Sequence, residues 1–255
     1  IGFNQNQATF GADMQMIRPT FFQCVPRLWT KFQEGVLAGL GGQDALDALL
    51  ADQSTAEQTK TRIKQNLGLD EARILTTGSA PTPLPLHAWY EALDMPLCQL
   101  YWQSEVLSAT SNLPWDRKPG TLGKPTGNTE IKIADNGEIL IKAKAVMKGY
   151  LHEPGKTAET LVDGWIHTGD KGELDDDGFL KITGRVKEIF KTTKGKFIVP
   201  IKLESLFGRN PSLGQFCCMG HGMDQPIVLV TLSALGLERD REDMKAELND
   251  LLEEI

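Results

Sequence analysis

Gly164-Trp165-Ile166-His167-Thr168-Gly169-Asp170 lies past the middle of this chain. Gly184-Arg185-Val186-Lys187-Glu188 follows it, beyond an Asp175-Asp176-Asp177-Gly178 run. The first stretch reads as a loop that delivers an aspartate to the start of a strand. A lone Gly-Asp pair is ordinary turn chemistry. The Asp-rich run, flanked by strand-like 172–174 and 179–183, reads as the turn of a β-hairpin. It lacks the spaced ligands and distal glutamate of a calcium loop. The informative point is what stands at the two ends of this hairpin. Before it is a carboxylate, which can accept hydrogen bonds from two vicinal hydroxyls. After it is an arginine, whose rigid fork suits an oxygen-rich ligand.

Working outward towards the N-terminus, the texture is α/β. Residues 1–17 carry few signals of regular structure. Residues 21–25 read as a short buried strand, and Pro26 opens a helix with Leu28, Trp29, Phe32, Val36 and Leu37 at helical spacing. Gly41-Gly42 stops it. Residues 43–51 and 55–66 read as two more helices, with Ser54-Thr55 as the cap of the second. A strand over 72–77, a helix over 84–93 and a strand over 97–101 continue the alternation, which predicts a parallel sheet. In such sheets ligands bind beyond the carboxyl ends of the strands. Gly78-Ser79-Ala80-Pro81 and Tyr101-Trp102-Gln103-Ser104-Glu105 fall there.

From about residue 120 the pattern becomes β-rich. Residues 129–133 and 138–142 alternate around Asp135-Asn136-Gly137, a hairpin with strong turn chemistry. After Lys187 it changes again, to a lysine-rich stretch over 189–198, a helix over 201–207, a strand over 227–232 and an amphipathic helix over 240–255. Met244, Leu248, Leu251, Leu252 and Ile255 lie on one side of that last helix.

Net charge is −7, which argues against a general nucleic-acid binder. No apolar run reaches the roughly 18 residues of a membrane span; the nearest, 226–237, reads as a buried strand. Cys24, Cys98, Cys217 and Cys218 form no Cys-x-x-Cys pair, and His87, His152, His167 and His221 are scattered. The expectation is free, buried thiols in a reducing cytoplasm and no structural zinc.

The Gly-Trp-Ile-His-Thr-Gly-Asp stretch, the hairpin and Gly-Arg-x-Lys together resemble the adenylate-forming superfamily of acyl-CoA synthetases, peptide-synthetase adenylation domains and beetle luciferases. The resemblance implies that Asp170 holds the ribose hydroxyls of ATP, that Arg185 contacts the same nucleotide, and that Lys187 is a hinge between a large and a small domain. Tyr101-Trp102-Gln103-Ser104-Glu105 is similar to the family's Y-G-x-T-E, with Trp102 for glycine and Ser104 for threonine. There the tyrosine stacks on adenine, the hydroxyl residue touches the α-phosphate and the glutamate binds Mg²⁺; an aromatic face suits a purine and a carboxylate suits a hard cation. Gly78-Ser79-Ala80-Pro81 is similar to the loop lining the adenine and acyl pockets. Gly195, in Lys191-Thr192-Thr193-Lys194-Gly195-Lys196, borders the pantetheine tunnel by the same resemblance. Read without it, such a loop is a solvated surface.

The implied fold is α/β. Residues 1–187 would be the later part of the large domain, with a parallel sheet to about 119 and a β-rich part over 120–187; residues 188–255 would be part of a small α+β domain. Arg18-Pro19-Thr20 with Val25-Pro26-Arg27-Leu28-Trp29, and Lys194-Gly195-Lys196 with Pro200 and Glu204, are similar to segments of long-chain acyl-CoA synthetases. The activity so implied is ATP-dependent conversion of a fatty acid to acyl-AMP and then to acyl-CoA, with ATP, Mg²⁺ and CoA bound. The partners are small molecules rather than nucleic acid, and the setting is cytoplasmic with possible peripheral membrane contact. A carrier-protein acceptor, or a non-catalytic nucleotide-binding module, is the alternative. The family's glycine-rich phosphate loop and its C-terminal catalytic lysine are not in this sequence, so the chain reads as an internal fragment, inactive alone.

Overall fold

The computed structural model describes residues 6, 8–208, 210 and 212–253. They group into two compact units. One is built from residues up to 101 together with 111–120, the other from 102–110 together with 121 onward.

The first unit opens with α1 (Phe10–Ile17), a helix that the sequence did not announce. Thr9 stands at its N-cap position, and Phe10, Met14 and Ile17 fall at helical spacing, although the Thr9 side chain makes no capping hydrogen bond. Then come β1 (Phe21–Cys24), α2 (Pro26–Leu40), α3 (Gln43–Ala51), α4 (Ala56–Leu67), β2 (Ile74–Thr77), α5 (Leu84–Ala92) and β3 (Leu97–Gln103), whose last two residues belong to the second unit. The pairs β1–β2 and β2–β3 are parallel, as the alternation predicts. β1 is not the buried strand expected. Phe21 is exposed and Phe22 and Cys24 are half-buried, because β1 is the edge of these strands. Proline at the start of α2 and Gly41 at its end, with φ of 91°, bound that helix as read. The expected Ser54-Thr55 cap is not made. The Thr55 hydroxyl donates to the Leu49 carbonyl at 2.8 Å, and Asp52 Oδ1 organises the turn by accepting from the Ser54 amide and hydroxyl.

The core of this unit is aromatic. Trp29 and Tyr90 are fully buried, edge-on with centroids 5.0 Å apart, among Leu46, Ile63, Leu75, Leu93 and Leu97. A buried polar atom needs a partner. The Trp29 indole N–H donates to the Thr76 carbonyl at 3.2 Å, and the Tyr90 hydroxyl to the Trp29 carbonyl at 2.7 Å. These two bonds fasten α2 and α5 to the end of β2, immediately before the turn at 78–81.

The second unit contains β4 (Val106–Ser111, apart from its last residue), β5 (Lys124–Pro125), β6 (Glu130–Ile133), β7 (Glu138–Lys142), α6 (Pro154–Thr160), β8 (Leu161–Val162), β9 (Trp165–Leu174) and β10 (Leu180–Arg185). An antiparallel sheet runs β10-β9-β7-β6, with β8 also on β9. Both hairpins form where the turn residues predict them. Asn136 Oδ1 accepts the Glu138 amide at 3.0 Å, Asp175 Oδ1 accepts those of Asp177 and Phe179, and Gly137 and Gly178 take the positive φ. The stretch ending in Asp170 departs from the expectation. It is strand rather than loop, and Asp170 sits within the ten-residue β9 rather than at a strand start. Ile166 is fully buried with Ile139 and Ile141, and pairing with β7 overrides the local Gly-Asp turn signal.

The chain continues through β11 (Phe190–Lys191), β12 (Phe197–Ile198), α7 (Pro200–Phe207), β13 (Leu213–Met219), β14 (Ile227–Leu232), α8 (Ala234–Leu237) and α9 (Arg241–Glu253). β14 is a strand but not a buried one: Ile227, Leu229 and Val230 are exposed. In its two-stranded sheet with β13, it is mainly β13 that lies against α7, while Val228 of β14 packs on the cluster of Ile198, Leu203 and Cys218. In α9 Met244 is buried and Leu248 and Leu251 are half-buried; the Leu252 side chain and Ile255 lie outside what is described. Nor are all four thiols buried, since Cys217 is exposed on β13. No helix among the described residues is long and apolar enough to cross a membrane.

Two outcomes follow. Tyr90→Phe deletes the donor to a buried carbonyl while keeping the ring, and is expected to cost about 1–2 kcal/mol in urea-unfolding stability. Burial pushes the Cys98 thiol up to about 11 and that of Cys24 up to about 12, so neither is ionised near neutrality. Alkylation of the folded protein at pH 8, followed by mass spectrometry, is expected to mark Cys217 and spare Cys24 and Cys98, with protection of Cys98 falling as pH approaches 11.

Candidate functional site

The candidate residues of the first unit stand at the carboxyl ends of β2 and β3. Gly78 is buried, while Ser79, Ala80 and Pro81 are exposed. The turn is closed by the Thr77 and Thr82 hydroxyls, 3.0 Å apart. Ser79 has φ of 67°, in the left-handed region where a residue with a Cβ carries a cost of roughly 1–2 kcal/mol. Tyr101 is buried near the end of β3.

In the second unit the elements converge on one carboxylate. Asp170 is buried, and each of its oxygens has a named partner. Arg185 Nε, from the end of β10, donates to Oδ1 at 3.1 Å. Gln103 Nε2, from the end of β3, donates to Oδ2 at 2.9 Å and also to the Thr168 carbonyl at 3.0 Å. Arg185 Nη1 reaches Glu188 Oε1 at 3.2 Å. Partial burial works against the Arg185 charge, but the carboxylates of Asp170 and Glu188 outweigh it and hold the guanidinium above its usual pKa. A carboxylate oxygen has two lone-pair sites, so a pair of hydroxyls is a chemically suitable further ligand for this group.

Asp170 is presented by an irregularity in β9. Between the pairs Leu140↔His167 and Glu138↔Lys171, β7 advances two residues and β9 four. Gly169, with φ of 72°, lies inside this bulge, where a Cβ would meet nothing within 4 Å. Glycine is therefore required by the backbone angle and not by space. The Val186 amide donates to the Gly169 carbonyl at 2.8 Å, tying the turn after β10 to the bulge. Lys187 follows in that turn, exposed.

Ser104 is exposed in the turn between β3 and β4, and Glu105 beside it is half-buried. The Tyr150 hydroxyl donates to Glu105 Oε1 at 2.6 Å, and this bond holds the tyrosine's proton more tightly than usual. The Tyr150 amide is in turn fixed by Thr157 Oγ1 at 2.9 Å. Among the described residues no group of three or more His, Cys, Asp or Glu gathers as a metal cage. Trp102 lies in extended strand with its backbone outside the left-handed region, so the glycine of the related motif is not demanded here by conformation. Gly195 has φ of 85° in the turn between β11 and β12, its amide donating to the Thr192 carbonyl at 2.9 Å. Glu204 accepts the Cys218 amide at 3.1 Å and so ties α7 to β13.

Sequence reasoning missed Gln103 and Tyr150. Gln103 stands at the variable position of the Tyr101-Trp102-Gln103-Ser104-Glu105 segment. Nothing local marks Tyr150, 45 residues from its partner.

The sequence model of the AMP-binding enzyme family matches residues 2–151. A putative fatty-acid–CoA ligase, fadD11, of Mycobacterium tuberculosis is 31% identical over 89% of this chain and 45% of its own length. Long-chain-fatty-acid–CoA ligase 6 of Rattus norvegicus is 31% identical over 88% of this chain and 36% of its own. The chain thus spans less than half the length of these curated relatives. Among solved structures, the A-PCP didomain of carboxylic acid reductase from Segniliparus rugosus, in complex with AMP, aligns at a TM-score of 0.72 with 25% identity, over 98% of this chain and 36% of that one. The match over more than half of its residues, with the α/β fold described above, makes this chain a member of the AMP-binding enzyme family.

Proposed function

We propose that the full-length protein of which this chain is a part activates a long-chain fatty acid for transfer to coenzyme A. One observation carries the reading: Gln103, from the Tyr-Trp-Gln-Ser-Glu segment, and Arg185, from the Gly-Arg-x-Lys segment, both bond the Asp170 carboxylate. Three motifs far apart in sequence thereby meet at one buried acid suited to a ribose. The fatty-acid–CoA ligase names of the curated relatives support the substrate class.

In the proposed chemistry a fatty carboxylate oxygen attacks the α-phosphorus of ATP, the bond to pyrophosphate breaks, and an acyl-adenylate results. The sulfur of coenzyme A then attacks the acyl carbonyl and AMP leaves. Asp170 and Arg185 hold the ribose, Tyr101 packs on the adenine, Gly78-Ser79-Ala80-Pro81 lines the pocket, and Ser104 donates to the α-phosphate. Lys187 is the hinge between 1–187 and 188–255, about which Gly195 and its loop are brought to the thioester step. These residues work by positioning and by fixed dipoles, which contribute most when they are aimed before the reaction.

Glu105 fits a magnesium ion. It is one half-buried carboxylate held in orientation by Tyr150, and Mg²⁺ is commonly bound by one or two carboxylates together with substrate phosphates. When bound, the ion would neutralise phosphate charge.

The reading is tested in the full-length protein, since the chain by itself is expected to be inactive, by fatty-acid-dependent exchange of pyrophosphate into ATP and by thioester formation with coenzyme A. Exchange without a thioester, but with acylation of a carrier protein, would replace the acceptor. No exchange with any fatty acid would remove the reading. Asp170→Ala is expected to weaken AMP binding by tenfold or more in calorimetric titration, since it removes a charged hydrogen-bond acceptor worth about 1.5–3 kcal/mol. Tyr150→Phe frees one oxygen of Glu105 from its donor. The Mg²⁺ concentration giving half-maximal exchange is expected to shift about threefold to tenfold, with metal-free AMP affinity unchanged.

A further inference from the structure

Glu138 is the first residue of β7, directly after the Asn136-Gly137 turn, and it is buried. A carboxylate out of water has to be paired or hydrogen-bonded. Both partners of Glu138 lie in the β9 bulge. Its Oε1 accepts the Gly169 amide at 2.9 Å, and its Oε2 lies 3.1 Å from His167 Nδ1, the nitrogen that must carry the hydrogen for this contact. One side chain therefore spans the bulge from the residue before Thr168 to the residue after it.

The neighbouring bonds extend the same arrangement. The Thr168 hydroxyl donates to the Ile139 carbonyl of β7 at 2.7 Å and accepts the Asp170 amide at 3.1 Å. Residues 167, 168 and 169 are thus each anchored to Glu138 or Ile139, and the next residue is Asp170. The Glu138 amide is itself fixed by Asn136 Oδ1, so the anchor rests on the turn of a tight hairpin. A bulge re-aims a side chain, and here its shape is set by a hydrogen bond to an ionised acceptor, the stronger kind.

We propose that Glu138 is the positioning residue of the nucleotide site: by clamping the Gly169 amide and His167 it sets the direction of the Asp170 carboxylate towards the ribose. The inference rests on the reading of Asp170 as the ribose acceptor. Glu138 itself touches no substrate. It acts through the backbone of Gly169, and His167 acts through Glu138.

A residue that merely stabilises the sheet would, when removed, weaken all ligands alike. A residue that aims Asp170 would, when removed, cost the ribose hydroxyls specifically. The experiment is therefore a calorimetric comparison of AMP with its 2′,3′-dideoxy analogue, on the wild type, Glu138→Ala, Glu138→Gln and Asp170→Ala. Wild type is expected to prefer AMP by roughly tenfold or more, and Asp170→Ala to abolish the preference. Glu138→Ala is expected to lose most of it, with binding of the dideoxy analogue little changed. Glu138→Gln keeps an acceptor for the Gly169 amide but not the charge, and is expected to retain an intermediate preference. A Glu138→Ala protein that keeps the full preference overturns the proposal. So does one that loses AMP and dideoxy affinity by the same factor. If Glu138→Ala does not fold, Glu138→Gln decides: a reduced preference supports the clamp and an unchanged one overturns it. Should Asp170→Ala leave the preference intact, it is the ribose reading itself that fails, whatever Glu138 does.

Discussion

Asp170 places a negative charge almost wholly out of water, and a charge so placed is tolerated only where its surroundings replace the lost hydration. In the second unit those surroundings come from distant stretches of chain: the end of β3 through Gln103, the end of β10 through Arg185, and β7 through the groups that hold the bulge. Much of what is irregular there follows from this requirement. β9 is bulged rather than straight, Gly169 takes a positive φ, and the turn after β10 is bonded back to the bulge through Val186. A regular ladder would have served the hydrophobic face of Ile139, Ile141 and Ile166 equally well. The departure from regularity is at the acid.

The first unit meets a related demand in a different way. Its core carries polar atoms inside an aromatic cluster, and each named bond of Trp29 and Tyr90 ends on backbone of β2 or α2. The result is rigid support under the turn at 78–81, whose Ser79 is held in a conformation that a serine does not favour.

Much of this was legible in the sequence, because periodicity and turn chemistry act locally. The helix from Pro26 to the glycines at 41–42, the hairpins at Asn136-Gly137 and Asp175–Gly178, and the alternation that predicts parallel strands are all decided by neighbours within a few residues. The motif residues were legible for the same reason, as runs of unusual composition. What failed to show was decided at a distance. The Gly-Asp pair at 169–170 signals a turn locally, but its pairing with β7 is a long-range fact. The exposure of β14 depends on which strand lies against α7. Gln103 and Tyr150 acquire meaning only through partners 67 and 45 residues away. α1 carried only a short local cue, Thr9 ahead of Phe10, Met14 and Ile17 at helical spacing over eight residues.

The ion pair between Asp170 and Arg185 is lopsided: the aspartate side chain is 7% exposed and the guanidinium 59%. Dissolved ions can crowd one partner and hardly approach the other. At physiological salt the screening length is about 8 Å, so Arg185 and its outer partner Glu188 lie within reach of the ionic atmosphere, whereas the buried Asp170 is screened much less. Rising ionic strength would therefore loosen the arginine's outer attachments before its inner one. The acid at the centre would keep its electrostatic character across the salt range of a living cell, while the rim around it remained responsive to that range.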